Sequence, residues 1–131
     1  MRVLVENTAG GKNSVARYMD SIERLWEVIG HLNVGLCLDT CHTWAGGIPT
    51  IEAVKGFKKL VKKIDLIHFN DSKDGFESSR DRHENLGKGK IPKEELEYVI
   101  KNAKTDIIVE TPNGPDAQKK DIAWIRRRLK K

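Results

Sequence analysis

The sequence holds no uncharged apolar run near the roughly 20 residues that a helix needs to cross a bilayer. Its start, Met1-Arg2-Val3-Leu4-Val5-Glu6, is too short an apolar segment for a secretory leader, so a cytoplasmic protein with no membrane segment is expected. Cysteine is scarce. Only Cys37 and Cys41 occur, on a strand and the loop after it, too distant for a relaxed disulfide if extended. Free thiols suit a reducing compartment. No linker or low-complexity tract divides the chain, and 131 residues suffice for one core but not for two domains. A serine or cysteine nucleophile system is missing, which argues against covalent catalysis. So is a nucleotide-cradling glycine loop: Gly87-Lys88-Gly89 is too short for one and reads as a turn.

What is present is polar but foldable. Hydrophobic residues make up 38% and charged residues 33%, too many apolar clusters for disorder. Lys and Arg number 24 against 19 Asp and Glu, a net charge of +5 that tolerates a polyanionic partner without requiring one. Part of the excess is local: Arg126, Arg127, Arg128, Lys130 and Lys131 crowd the C-terminus, where cations favour the negative end of a helix.

Four runs dominated by Val, Ile and Leu recur, at Arg2 to Glu6, Gly35 to Asp39, Ile64 to Asn70 and Asp106 to Glu110. Near-continuous apolar runs suit parallel strands covered on both faces. Helical spacing follows each. From Ser14, a candidate N-cap, one face carries Val15, Tyr18, Met19, Ile22, Leu25, Trp26 and Ile29, ended by Gly30. A second helix is expected from Thr50 after Pro49, a third after Pro92, and a fourth after Pro115 that buries Ile122, Ile125 and Leu129. Alternating βα units imply a parallel sheet with right-handed crossovers, hence a doubly wound sheet or a barrel. The segment from Asp71 to Ile91 breaks the rhythm and reads as a long functional loop.

The chemistry gathers at the strand ends. Glu6, Asp39, His68 and Glu110 each fall at or near the C-terminal end of a different expected strand, the rim where such folds place their sites. Three carboxylates side by side are unfavourable without a positive charge, which points to metal. His42, Asp81 and His83 add ligand types in the adjoining loops. Mixed imidazole and carboxylate donors suit Zn²⁺ first, then Mn²⁺ or Fe²⁺. Any one of these residues alone would read as a cap, a turn or an ion-pair group; their joint placement carries the inference. Cys37 and Cys41 read as buried core, His31 as a turn residue, and Trp44 as packing more readily than stacking.

The ordered segments Glu6-Asn7-Thr8-Ala9-Gly10, Asp39-Thr40-Cys41-His42, His68-Phe69-Asn70-Asp71, Asp81-Arg82-His83 with Gly87 and Gly89, and Glu110-Thr111-Pro112 resemble the endonuclease IV family of apurinic/apyrimidinic DNA repair enzymes. The resemblance runs over essentially the whole chain. It implies an α/β fold, the C-terminal half, (βα)4, of a TIM (β/α)8 barrel, with residues 1–131 as a single domain matching strands 5 to 8. It further implies a zinc-dependent hydrolase of base excision repair that cuts abasic double-stranded DNA 5′ to the lesion. On it, Glu6, Asp39, His68 and Glu110 look like ligands round one metal, with Glu6 bridging to a second, and His42, Asp81 and His83 look like a complete further site. About two zinc sites per chain would then be complete. Glu110 and Glu6 are the implied catalytic carboxylates, and Arg82 and Lys88 the candidate DNA phosphate contacts.

The departure from the family is the missing first half, which holds two histidine ligands and the loops that enter the helix at the lesion. A homodimer or a complementing N-terminal half-barrel is therefore the expected partner, and the chain alone should be weak or inactive. Two other readings remain open: a metal-dependent sugar isomerase or epimerase, against which the Asp81-Arg82-His83 group counts, and a non-catalytic metal- or DNA-binding remnant.

Overall fold

A computed structural model describes residues 1–130; Lys131, the last cation of the basic end, lies outside them. Strand β1 (Val3–Glu6) leads through a turn into helix α1 (Met19–Ile29). That helix starts at Met19 and not at Ser14, because Ser14 closes a turn: its hydroxyl meets Thr8 Oγ1 at 2.6 Å and its N–H donates to the Gly11 carbonyl at 3.1 Å. Val15 is consequently exposed. Strand β2 (Val34–Asp39) runs straight into helix α2 (Thr40–Gly46), where the sequence pattern suggests only a loop. The Asp39 carboxylate caps α2 by accepting the His42 N–H at 3.0 Å, and Gly47 ends it at φ 96°.

Helix α3 (Thr50–Leu60) begins after Pro49 as expected, followed by strand β3 (Leu66–His68). The long segment from Asp71 has its own pairing, β4 (Asp71–Ser72) antiparallel to β5 (His83–Glu84). Helix α4 (Lys93–Ala103), strand β6 (Asp106–Ile108) and helix α5 (Gly114–Leu129) complete the order. Among the described residues no helix is long and apolar enough to cross a membrane.

The main sheet has the order β1-β2-β3-β6, every pair parallel. Helices α1, α3, α4 and α5 lie side by side against it. Leu36, Leu38 and Ile67 bury against Ile22, Trp26, Val54, Phe57, Leu96, Val99 and Ile125 to form the core. Because side chains alternate along a strand, Glu6, Cys37, Asp39, Leu66, His68 and Ile108 share the opposite face. That face is covered only in the middle: Asp39 is buried, whereas Ile108 on β6 is 49% exposed. Ile122 and Leu129, expected to be buried, are also exposed, since α5 flanks the open β6 edge and, among the described residues, has no neighbour beyond it.

Register ties this sheet to a barrel. Asp39 pairs with His68 and His68 with Ile108, while Glu6 pairs with Cys37, two residues before Asp39, and Glu110 lies two residues beyond Ile108. Side chains at one level therefore climb by roughly one residue per strand, the stagger of an eight-stranded barrel with a shear of about 8.

Candidate metal centre

The climb brings the strand ends together. Glu6, Asp39, His68 and Glu110 each offer one donor atom, and these atoms all lie within 4.8 Å of one another. His68 presents Nδ1, which stands 3.0 Å from Glu6 Oε1 and 3.2 Å from Glu110 Oε2. A second group adjoins the first. Asp39, His42 and His83 also offer atoms within 4.8 Å, so Asp39 borders both groups. Asp81 Oδ1 stands 3.0 Å from His42 Nε2 and 3.1 Å from His83 Nε2, with Asp39 Oδ2 at 3.8 and 3.6 Å from the same two atoms. Asp81 is 55% exposed at the rim, while the Asp39 side chain is fully buried.

The two histidines are oriented from behind. His42 Nδ1 lies 2.8 Å from the Asn7 carbonyl and His83 Nδ1 3.2 Å from the Glu110 carbonyl, so in each neutral ring Nδ1–H donates to backbone and Nε2 keeps its lone pair. Both Nε2 atoms are buried without a hydrogen-bond partner, although carboxylate oxygens crowd them. Donors bound at about 2.0–2.2 Å round one ion stand roughly 3–4 Å apart, which is the spacing here. Orphaned imidazole lone pairs facing carboxylates thus fit a divalent metal, and the mixed nitrogen and oxygen donors fit the zinc, manganese and iron class.

Electrostatics agree. Burial pushes the Asp39 pKa up, only partly offset by His42 and His83. At His42 burial pulls the pKa down, but Asp39, the Asn7 carbonyl, Asp81 and Glu6 outweigh it and the net shift is upward. Cys37 lies near Glu6 and His68, and Cys41 near Asp81 and His83. Burial above all pushes both thiols up to about 12, so in the metal-free chain they stay protonated.

Two further polar residues belong to this centre that sequence reasoning alone does not single out. Asn7 bridges the ends of β1 and β2, its amide donating to the Asp39 carbonyl at 3.1 Å and its Oδ1 accepting the Asp39 N–H at 2.8 Å. Asn70 donates to Asp39 Oδ2 at 3.0 Å and accepts the Glu110 N–H at 2.8 Å. Each stands one or two places after a ligand-type residue at a strand end, a signal that spacing alone does not separate from a turn asparagine. The candidate phosphate contacts lie apart from the cluster. Arg82 forks onto the Asp74 carboxylate at 2.8 and 2.5 Å, and Lys88 is exposed on the turn beyond Asn85.

The family described as xylose isomerase-like TIM barrel matches residues 1–128. The chain belongs to that family. Within it, the chain is 47% identical over 127 residues to the probable endonuclease 4 of Mycobacterium ulcerans, covering 97% of this chain and 50% of that protein. It is 48% identical over 126 residues to the probable endonuclease 4 of Mycobacterium tuberculosis, covering 96% of this chain and 49% of that protein. Among solved structures, endonuclease IV from Thermus thermophilus superposes with a TM-score of 0.80 at 31% identity over 98% of this chain and 50% of that one. A D-tagatose 3-epimerase-like protein matches at a TM-score of 0.70 and 21% identity over 99% of this chain and 47% of that one, a likeness of fold alone. The chain spans about half the length of the curated relatives it matches. A four-stranded parallel sheet with barrel stagger is what half of a TIM barrel contributes.

Proposed function

We propose that the chain supplies the C-terminal half of a zinc-dependent DNA repair endonuclease that hydrolyses the phosphodiester 5′ to an abasic site. The observation that carries this reading is the second donor group: His42, Asp81 and His83 stand beside the strand-end group Glu6, Asp39, His68 and Glu110. Paired metal sites suit in-line displacement at phosphorus, where both the attacking and the leaving oxygen need stabilising, so the pair favours phosphodiester chemistry over isomerisation. The endonuclease 4 and endonuclease IV relatives support the same choice.

The two donor groups would hold about two zinc ions per chain, the first between Glu6, Asp39, His68 and Glu110, the other between His42, Asp81 and His83. Such ions supply positive charge against a phosphate and lower the pKa of an attacking water. The residues do the rest. Glu110, next to His68 Nδ1 and with its N–H held by Asn70, is placed to orient that water and accept its proton. Glu6, 3.0 Å from the same His68 Nδ1, closes the edge strand β1, beside which a completing half would add the ligands of a further site. Arg82 reaches a DNA phosphate only by leaving Asp74, whereas Lys88 is free to do so. Completion of the ring falls to a second copy or to an N-terminal half-barrel, since β1 and β6 are both open edges.

The test is metal content followed by cleavage. After zinc loading the chain should retain about two ions, and abasic duplex should be cut weakly by the chain alone and efficiently once an N-terminal half is added. Glu110→Ala should abolish cleavage and spare most DNA binding. No bound zinc, or ketose interconversion with a single ion, would sink the proposal.

A further inference from the structure

Helix α5 contributes one polar side chain to the interior, Asp121, which is 3% exposed. Its Oδ1 accepts the Leu86 N–H at 2.9 Å. Its Oδ2 accepts the Asn85 amide at 2.7 Å and the Thr111 hydroxyl at 2.6 Å. None of these donors belongs to helix α5: the carboxyl directs its hydrogen bonds to two loops and not to its own helix.

The three donors come from two loops, and each loop carries a ligand-type residue. Asn85 and Leu86 follow His83; Thr111 follows Glu110. Asn85 extends the link, donating also to the Pro112 carbonyl at 3.0 Å and accepting from Asn113 at 2.7 Å. Gln118 on α5 fixes the Thr111 carbonyl at 2.8 Å. Between these anchors lies the contact that sets one imidazole, His83 Nδ1 at 3.2 Å from the Glu110 carbonyl. A shift of the Thr111 segment against the Asn85 segment changes that distance directly, and with it the aim of the His83 Nε2 lone pair at Asp81 and Asp39.

We infer that Asp121 is a positioning residue of the metal centre: through Asn85, Leu86 and Thr111 it locks the His83 and Glu110 loops together and fixes the His83 tautomer. The inference deepens the metal-site reading above and rests on it, but its first readout requires no metal. His42 serves as the internal control, because its ring adjoins that of His83 but its Nδ1 leans on the Asn7 carbonyl and not on the Glu110 segment.

The experiment uses the whole chain with Asp121→Asn, which keeps the size and the acceptor for Leu86 while putting an NH2 donor where Oδ2 accepts from Asn85 and Thr111. Long-range proton–nitrogen spectra of the neutral histidines should give Nδ1–H for both His42 and His83 in the parent chain. In the variant His83 should become a mixture of tautomers while His42 stays as it was, and zinc affinity by chelator competition should fall about 10- to 100-fold. Should Asp121→Asn fail to fold, Thr111→Val removes a single donor and should move the His83 spectrum the same way. A folded variant with an unchanged His83 tautomer and unchanged zinc affinity would overturn the inference, and so would equal loosening of His42 and His83. A parent chain that binds no zinc would defeat the reading under the proposed function, and the His83 tautomer would still decide the role of Asp121.

Discussion

The side-chain amide of Asn70 donates to Asp39 Oδ2 at 3.0 Å while its own oxygen accepts the Glu110 N–H at 2.8 Å, so one buried asparagine spans two of the strand-end carboxylate residues. Asp39 Oδ2 also faces both orphaned imidazole nitrogens. Replacing Asn70 by Ala should weaken metal binding about 10- to 100-fold, measured by chelator competition. Asn70→Asp should do worse, since a second carboxylate beside Asp39 raises the cost of ionising either. Unchanged affinity in both variants would refute the role.

Metal and pH should act in opposite directions on stability. Without metal, His42 has a folded-state pKa above its usual 6.5, so its contribution is present below that value and lost as pH rises through the raised one. Asp39, also raised, works in the same direction from about pH 4 upward. Metal binds the deprotonated donors, so the loaded chain should gain stability over the same range. Melting curves at pH 6 and pH 8, with chelator and with zinc, should therefore cross in trend. At zinc concentrations about 100 times Kd, one site adds roughly 2.7 kcal/mol, or on the order of 10 °C. A melting temperature indifferent to chelator at both pH values would contradict this.

The two thiols should be silent in the native state. With Cys37 and Cys41 buried and their pKa values pushed up to about 12, a thiol reagent near pH 8 should modify neither until the chain unfolds. Rapid labelling of the folded chain would show that the site breathes far more than its packing implies.

The basic end should divide in two. Arg128 lies 3.4 Å from the centre of the Trp124 ring and 3.0 Å from Glu97, so Arg128→Ala should cost about 1 kcal/mol of stability. Arg126 and Arg127 are exposed, and their replacement should leave stability unchanged and, if the proposed DNA binding holds, at most lower its salt dependence, by about one unit of slope for each phosphate no longer neutralised. Denaturation and salt titration of the three single variants separate the two effects.

Gly89 should tolerate no side chain. A Cβ there would strike Asp71 Oδ1 and the Ser72 carbonyl, and Asp71 is the acceptor that draws in the N–H groups of Gly87, Gly89 and Ile91. Gly89→Ala should destabilise by about 1–3 kcal/mol in denaturant titration; a neutral result would mean the loop accommodates the methyl elsewhere.

The strand-end pattern was legible because period and polarity coincide: apolar runs closed by Glu6, Asp39, His68 and Glu110 mark both the strands and their rim. Helix starts at Thr50 and after Pro92 were legible for the same local reason, proline fixing the backbone at the first turn. Helix α2 was hidden because Asp39 serves as its cap and as a candidate ligand, and sequence assigns a residue one duty at a time. The β4–β5 pair was hidden because two-residue strands have no periodicity to detect. Asn7 and Asn70 act through partners more than 30 residues away, and Asp121 joins Asn85 and Leu86, just as distant, to Thr111, contacts that no local spacing encodes. Ile122 fits a helical stripe, but whether a stripe is buried depends on the neighbouring element.

The climb of about one residue per strand has a consequence beyond the metal centre. Because this segment already carries its share of the ring's pitch, a second set of four parallel strands with the same pitch can meet both β1 and β6 at once without sliding either edge. The backbone geometry of the rim is then a property of pitch, whereas the chemistry of the side opposite belongs to the half that closes the ring, whose side chains must also fill the shared interior.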